Sequence, residues 1–350
     1  MAAQNFLGVY AIEFNIGIIH GLQTIVWRNM RHAVDEWNSR ALAEKGSSWP
    51  SLALIAPSDG FASLDHRFCD VAQRELVALV VPCSSASSSS ASSSGELQWD
   101  EVQLVVSMCN RFRLPCIIDR PLDGAAFLDT QFVTNIGLKS DSIGKAIGQL
   151  ISRLMWNSFV LLYKQPEDVV EHIRERLRQT NIVVHTNDVS TIHTLLAKSS
   201  KLNMTETRYS YLFTNLDLRL LEDFLANLDS PYHCNISGIQ LVKHEPLLKT
   251  ELALALDSVN LIGEALNSMH RKSLAPEPEA LLCDAGDYWR DGELFNDVLR
   301  RSDLKNQMTG NIHMAAQNTG IRVNTSLSGI TRGLSGRFSQ VKFFKIAFQN

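Results

Sequence analysis

The sequence predicts an α/β fold with two mainly parallel sheets, each flanked by helices. Three observations carry this. Apolar or β-branched runs of strand length alternate with longer amphipathic stretches through residues 6–119, and the alternation restarts after residue 131. The stretch 208–242, RYSYLFTNLDLRLLEDFLANLDSPYHCNISGIQLV, holds strand, helix and strand in the span of one βαβ unit. At 350 residues the chain is long enough for two cores.

In order, residues 6–19 form an extended apolar segment, interrupted by Asn15 and Gly17. Residues 22–43 place Ile25, Val26, Met30, Ala33, Val34 and Trp37 on one face of a helix. A strand at 51–56 ends at Pro57-Ser58-Asp59-Gly60, and Ser63 is the expected N-cap of a helix reaching Glu75. Strand 76–81 follows. Residues 82–95 are almost all Ser and Ala, which supply no core side chains and predict a surface loop. Helix 102–112 and strand 115–119 complete the first series.

The second series begins with a strand at 131–138, expected to lead towards a second lobe. Helix 142–156, strand 158–163, a helix with Pro166 in its first turn, strand 182–185 and helix 191–202 come next. Within 208–242, Leu216, Leu220, Leu221, Phe224, Leu225 and Leu228 keep helical spacing, and strand 236–242 closes the unit. Residues 245–266 form a long helix that is apolar on most faces yet carries Asp257. A Pro-rich loop at 273–279, a short helix at 295–304 and a last strand at 343–348 follow.

Composition narrows the function. Hydrophobic content of 45% and charged content of 20% are globular values. A formal net charge of −4, with no basic run among aromatics, gives no reason to expect nucleic acid. No apolar stretch reaches the roughly 20 residues of a membrane span. The N-terminal residues lack a basic n-region, and Glu13 and Asn15 interrupt any h-region, so a strand is expected there rather than a signal peptide. GxGxxG, P-loop, HExxH and GxSxG signatures are missing, so no enzyme is expected. His172 shares a charged helix face with Glu171 and Arg174, and Glu167, Asp168 and Glu171 suit a helix N-terminus. Six cysteines without a CxxC pair predict no zinc site and leave the redox compartment open. No cofactor is expected. Asn203, Asn235 and Asn324 head N-x-S/T sequons.

Several words then converge. YLFTNLDL at 211–218, followed by YHCNISGIQLV at 232–242, resembles the amino-terminal domain of ionotropic glutamate receptors, the kainate type most closely. That domain is one of the bilobed receptor ligand-binding regions related to bacterial periplasmic binding proteins. SMCNRFRLPCI at 107–117, ELALALDSVNLIGEAL at 251–266 with Asp257-Ser258-Val259, Cys283 ahead of Trp289-Arg290 and Gly292, and Thr309-Gly310-Asn311-Ile312 resemble family words in family order. The resemblance covers roughly residues 16–350. At 81–83, Val-Pro-Cys stands where the family has a Gly-Pro entry to its serine loop.

The resemblance implies a type I periplasmic-binding-protein-like clamshell. Residues 1–130 and 244–307 would form lobe one and residues 131–243 lobe two. Residues 308–350 would supply return strands of lobe two and the C-terminal end. It also implies a disulfide between Cys69 and Cys283. A dimer interface on two lobe-one helices is implied too, which here span residues 61–75 and 102–112, with Phe61 and Phe68 as candidate anchors. Asn235 matches a family sequon and is favoured over Asn203 and Asn324 as a glycan carrier. The implied work is subunit assembly and channel modulation on the extracellular side, with other receptor subunits as partners. The competing reading is a bilobed protein binding a small molecule such as an amino acid in the interlobe cleft. The chain reads either as a fragment or as a soluble form.

Overall fold

The computed structural model describes residues 12–20, 24–45, 49–58, 63–82, 99–119, 130–138, 140–163, 170, 173–186, 188–226, 231–242, 248–314, 320, 322–323, 326–333 and 337–347. The serine tract, Phe61, His172 and Asn324 lie outside them, as do Glu167, Asp168 and Glu171.

The first sheet is wholly parallel, in the order β2-β1-β3-β4-β5. Its strands are β1 Glu13–Ile18, β2 Ser51–Ile55, β3 Leu76–Val81, β4 Cys116–Ile118 and β5 Val133–Asn135. Helices α1 Ile25–Lys45, α2 Leu64–Ala72 and α3 Trp99–Phe112 connect them. A parallel sheet covered on both faces needs continuous apolar strands, and β3, LVALVV, is buried at every position. Strand β3 and helix α2 lie so close to β1 that a Cβ on Gly17 would stand 2.5 Å from the Leu76 side chain and 2.8 Å from that of Val71. The long helix α7, Thr250–Arg271, packs on α1 into the same core. Gly263 lets it approach the Trp37 ring at a separation that a Cβ would obstruct.

The second sheet runs β14-β13-β9-β8-β7-β6. Strands β6 Val160–Tyr163, β7 Asn181–His185, β8 Ser210–Phe213 and β9 Asn235–Gln240 are parallel. β13 Ser326–Arg332 and β14 Phe338–Ala347 return antiparallel. Apolar clusters cover both faces. One includes Ala146, Ile147 and Leu150 of α4 Ser140–Arg153. The other includes Ile192, Leu195 and Leu196 of α5 Val189–Lys201. Asp188 caps α5 through the N–H groups of Ser190 (3.1 Å) and Thr191 (3.0 Å).

Three local expectations are corrected. Residues 131–138, expected in lobe two, supply β5, which pairs with β4 as the outer strand of the first sheet before the chain leads on to the second. The helix expected at 216–228 is a 3-10 turn, Leu218–Leu221, followed by a single turn α6, Glu222–Leu225. There the Asn215 side chain accepts the Asp217 N–H at 2.7 Å, an Asx-type turn that competes with helix geometry. The strand opened by Thr309-Gly310-Asn311-Ile312 is β11 Gly310–Met314, which lies between β10 Leu304–Gln307 and β12 Arg322–Val323 in a separate three-stranded sheet. Leu304, Ile312 and Met314 pack on the first core.

Candidate functional site

Chain passes between the sheets after β5, after β9 and after β12, and a buried charge network stands by the first and third of these crossings. Asp257, in the middle of α7, is fully buried. Its carboxylate accepts the N–H groups of Met308 and Thr309, both at 3.0 Å, and the Thr309 hydroxyl. Arg322, 2% exposed, donates to the Thr309 hydroxyl at 2.8 Å and to the carbonyls of Thr309 and Asn311 at 2.9 Å. It also reaches the Ile136 carbonyl at 3.3 Å, just past β5. Thr309 thus bridges acid and base with one hydroxyl. Burial pushes the Asp257 carboxyl above its usual range, against the bonds from Thr309, the charge of Arg322 and the bond from Met308. Burial likewise pulls the Arg322 guanidinium down to about 10. Both charges fix strands rather than meet solvent, so the network is a structural pin.

A cavity opens at the carboxyl ends of β3 and β4, where open α/β sheets place ligands. It holds only about 10 Å³ and is lined by Val26, Asn29, Met30, Pro82, Asp119, Glu251 and Ala255. That is room for about one water. Its two carboxylates also suit an anionic ligand poorly. A larger groove of about 600 Å³ lies between α7, β10 and α8, the helix Gly292–Arg300. It mixes Arg271, Lys272, Arg301 and Lys305 with Glu264, Asp297 and Asp303. Among the described residues no cluster of His, Cys, Asp or Glu could hold a metal ion. Among them too, no helix is long and apolar enough to cross a membrane.

Cys69 on α2 and Cys283 are joined by a disulfide with Cα atoms 5.8 Å apart. Cys109, Cys116 and Cys234 are free and buried. Phe68 is no surface anchor. It is 1% exposed and stacks on Phe112 with ring centroids 5.7 Å apart, because α2 turns Leu64, Phe68, Val71 and Ala72 inward. Ser63 stands at the N-cap position of α2, but its hydroxyl bonds the His66 ring instead of a backbone N–H. Asn235 opens β9, is exposed, and donates to the Ser210 hydroxyl at 3.2 Å. Asn203 is exposed too, in a left-handed conformation (φ 57°) just past α5.

Sequence reasoning missed the rim of the second sheet. β6 is an outer strand, and Leu161 (52%) and Tyr163 (62%) stand exposed on alternate positions, in line with Phe159 (43%) before it. On α4, Gly144 and Gly148 are exposed, and a Cβ on either would meet nothing within 4 Å.

Residues 164–332, from the end of β6 through β13, match the family described as receptor family ligand binding region. Mixed α/β architecture with mainly parallel, helix-flanked sheets is the type I periplasmic-binding-protein-like arrangement of that family. Over these residues the chain is therefore similar to receptor-type ligand-binding regions. More particularly, the chain is similar to "Glutamate receptor ionotropic, kainate 4" of Mus musculus, 26% identical over 206 residues, which are 53% of this chain and 21% of that protein. The proteins of that name from Rattus norvegicus and Homo sapiens are each 27% identical over 186 residues, 47% of this chain and 19% of theirs. The matched segment spans about a fifth of the length of these curated relatives. The kainate-type resemblance read from the sequence is borne out.

Proposed function

We propose that this chain is the extracellular amino-terminal region of an ionotropic glutamate receptor subunit, working in subunit assembly and in modulation of a ligand-gated channel. The row of Leu161 and Tyr163 on the outer strand β6, with Phe159 just before it, carries the reading. An outer strand with exposed apolar side chains on one face is a self-association surface unless something blunts it. Its occupant is a second subunit of the same kind, which places the same strand opposite under two-fold symmetry. Phe61 stays a second candidate contact on lobe one. Asn235 and Asn203, both exposed, are the proposed glycan carriers. A cavity of about 10 Å³ at the lobe-one strand ends gives the amino-acid-binding alternative little room.

Sedimentation of the wild-type chain, Leu161→Lys and Phe61→Ala tests this. A concentration-dependent dimer at tens of micromolar is expected, weakened at least tenfold by Leu161→Lys with the melting temperature unchanged. Loss of the dimer in Phe61→Ala alone would move the contact to lobe one. A wild-type chain that stays monomeric at those concentrations would end the assembly reading.

A further inference from the structure

The N-terminus of α7 is capped from the other lobe. Its own N-cap residue, Lys249, makes no side-chain cap bond. Instead Asp217 accepts the Thr250 N–H at 2.8 Å and the Thr250 hydroxyl at 2.7 Å. Asp217 follows β8 of the second sheet. It is held there by Asn215, which takes the Asp217 N–H at 2.7 Å and donates to the Thr186 carbonyl, just past β7, at 3.4 Å. Thr250 is 8% exposed and opens a helix whose body lies in the first core. Seven residues further on, Asp257 of the same helix holds the turn between β10 and β11. The carboxyl ends of β7 and β8 are thereby tied to α7, and α7 to the crossing strands.

We propose that Asp217 is an interlobe latch. While it caps α7, the second sheet is held at one angle to the first. When it lets go, the first turn of α7 loses its acceptor and the lobes open about the crossing strands. A carboxylate suits this work because it adds charge to the bond at the positive end of a 22-residue helix. The inference is independent of the assembly reading, since none of these residues lies on β6.

A local cap and a latch make different predictions once a cap is supplied from within α7. Spin labels at Arg31→Cys on α1 and Lys201→Cys on α5, in a Cys83→Ser background, report the interlobe distance, and hydrogen exchange reports the first turn of α7. Asp217→Ala is expected to speed exchange at residues 250–253 by about tenfold and to broaden the interlobe distance distribution. Adding Lys249→Asp, which puts a capping carboxylate on α7 itself, is expected to restore slow exchange while the distances stay broad. Asp217→Asn keeps an acceptor oxygen and falls between, and it serves where the alanine variant fails to fold. A wild-type distance distribution in Asp217→Ala, or in Asp217→Asn where that variant stands in, would overturn the latch. So would recovery of both readouts with Lys249→Asp.

Discussion

The outer strands β5 and β6 each end a run of parallel strands, and the chain treats them in opposite ways. β5 is sealed. Arg300 donates to the carbonyls of Thr130 (2.6 Å) and Val133 (2.7 Å), Asn296 donates to the Gln131 carbonyl (2.9 Å), and the Asn135 N–H finds the Gly320 carbonyl (2.6 Å). Gly320 is required there twice over. Its φ is +62°, and a Cβ would collide with the Val133 carbonyl and the Arg300 side chain. On β6, by contrast, Leu161 and Tyr163 stand exposed, and among the described residues no such set of bonds covers that face. A sealed rim belongs to the fold, whereas an open apolar rim is available to a partner. Substitutions around β5 are therefore expected to act on stability, and those on β6 on association.

The largest effect is expected at the pin beside β5. Asp257→Ala removes the acceptor for two backbone N–H groups and leaves Arg322 buried without its counter-charge, which should cost about 3–5 kcal/mol. Chemical denaturation measures it, and a loss below about 1 kcal/mol would mean that water or relaxation replaces the network. Next comes Cys283→Ser. The bridge to Cys69 spans 214 residues and fastens the 281–289 segment, where Leu281 donates to the Ala72 carbonyl and Trp289 to the Phe112 carbonyl. Its loss should cost about 2–4 kcal/mol. Thiol counting in denaturant without reductant should find no more than four of the six cysteines reactive, and six would rule the bridge out.

Much of this contrast was legible in advance and its decisive part was not. The run at 76–81, and Ile182–Val184 within 182–185, fix their strands because the buried part of a parallel strand is apolar on both faces. The FVLLY run at 159–163 looks the same, since sheet order, not local sequence, makes β6 outermost. Phe68 was assigned to an interface by resemblance, yet its place beside Leu64 and Val71 on α2 turns it inward. Asp257 stood out as a charge inside an apolar helix, while its partners lie 51 and more positions away and no local pattern names them. Nothing local marks Asp217, because its partner Thr250 lies across a crossing of the chain.

The smallest expected effect opposes the lobes in pH rather than in magnitude. Asp188 caps α5 in lobe two. Although burial raises its carboxyl, the bonds from Ser190 and Thr191 outweigh that and hold it below the usual range. A depressed acid contributes stability above its unfolded value, near 4, and loses it as pH falls through the folded value. Asp188→Ala should therefore cost about 1 kcal/mol at pH 7 and progressively less below pH 4. Asp257 has the opposite sign. Burial raises it, so the folded state holds that proton more tightly than the unfolded chain does, and its own contribution grows as pH falls through the raised value towards the unfolded one. Exchange protection followed from pH 6 to pH 3.5, with rates corrected for intrinsic pH dependence, should show α5 loosening before the first turns of α7. If both regions lose protection together, the crossings bind the lobes into one cooperative unit and the contrast between them ends at the rims.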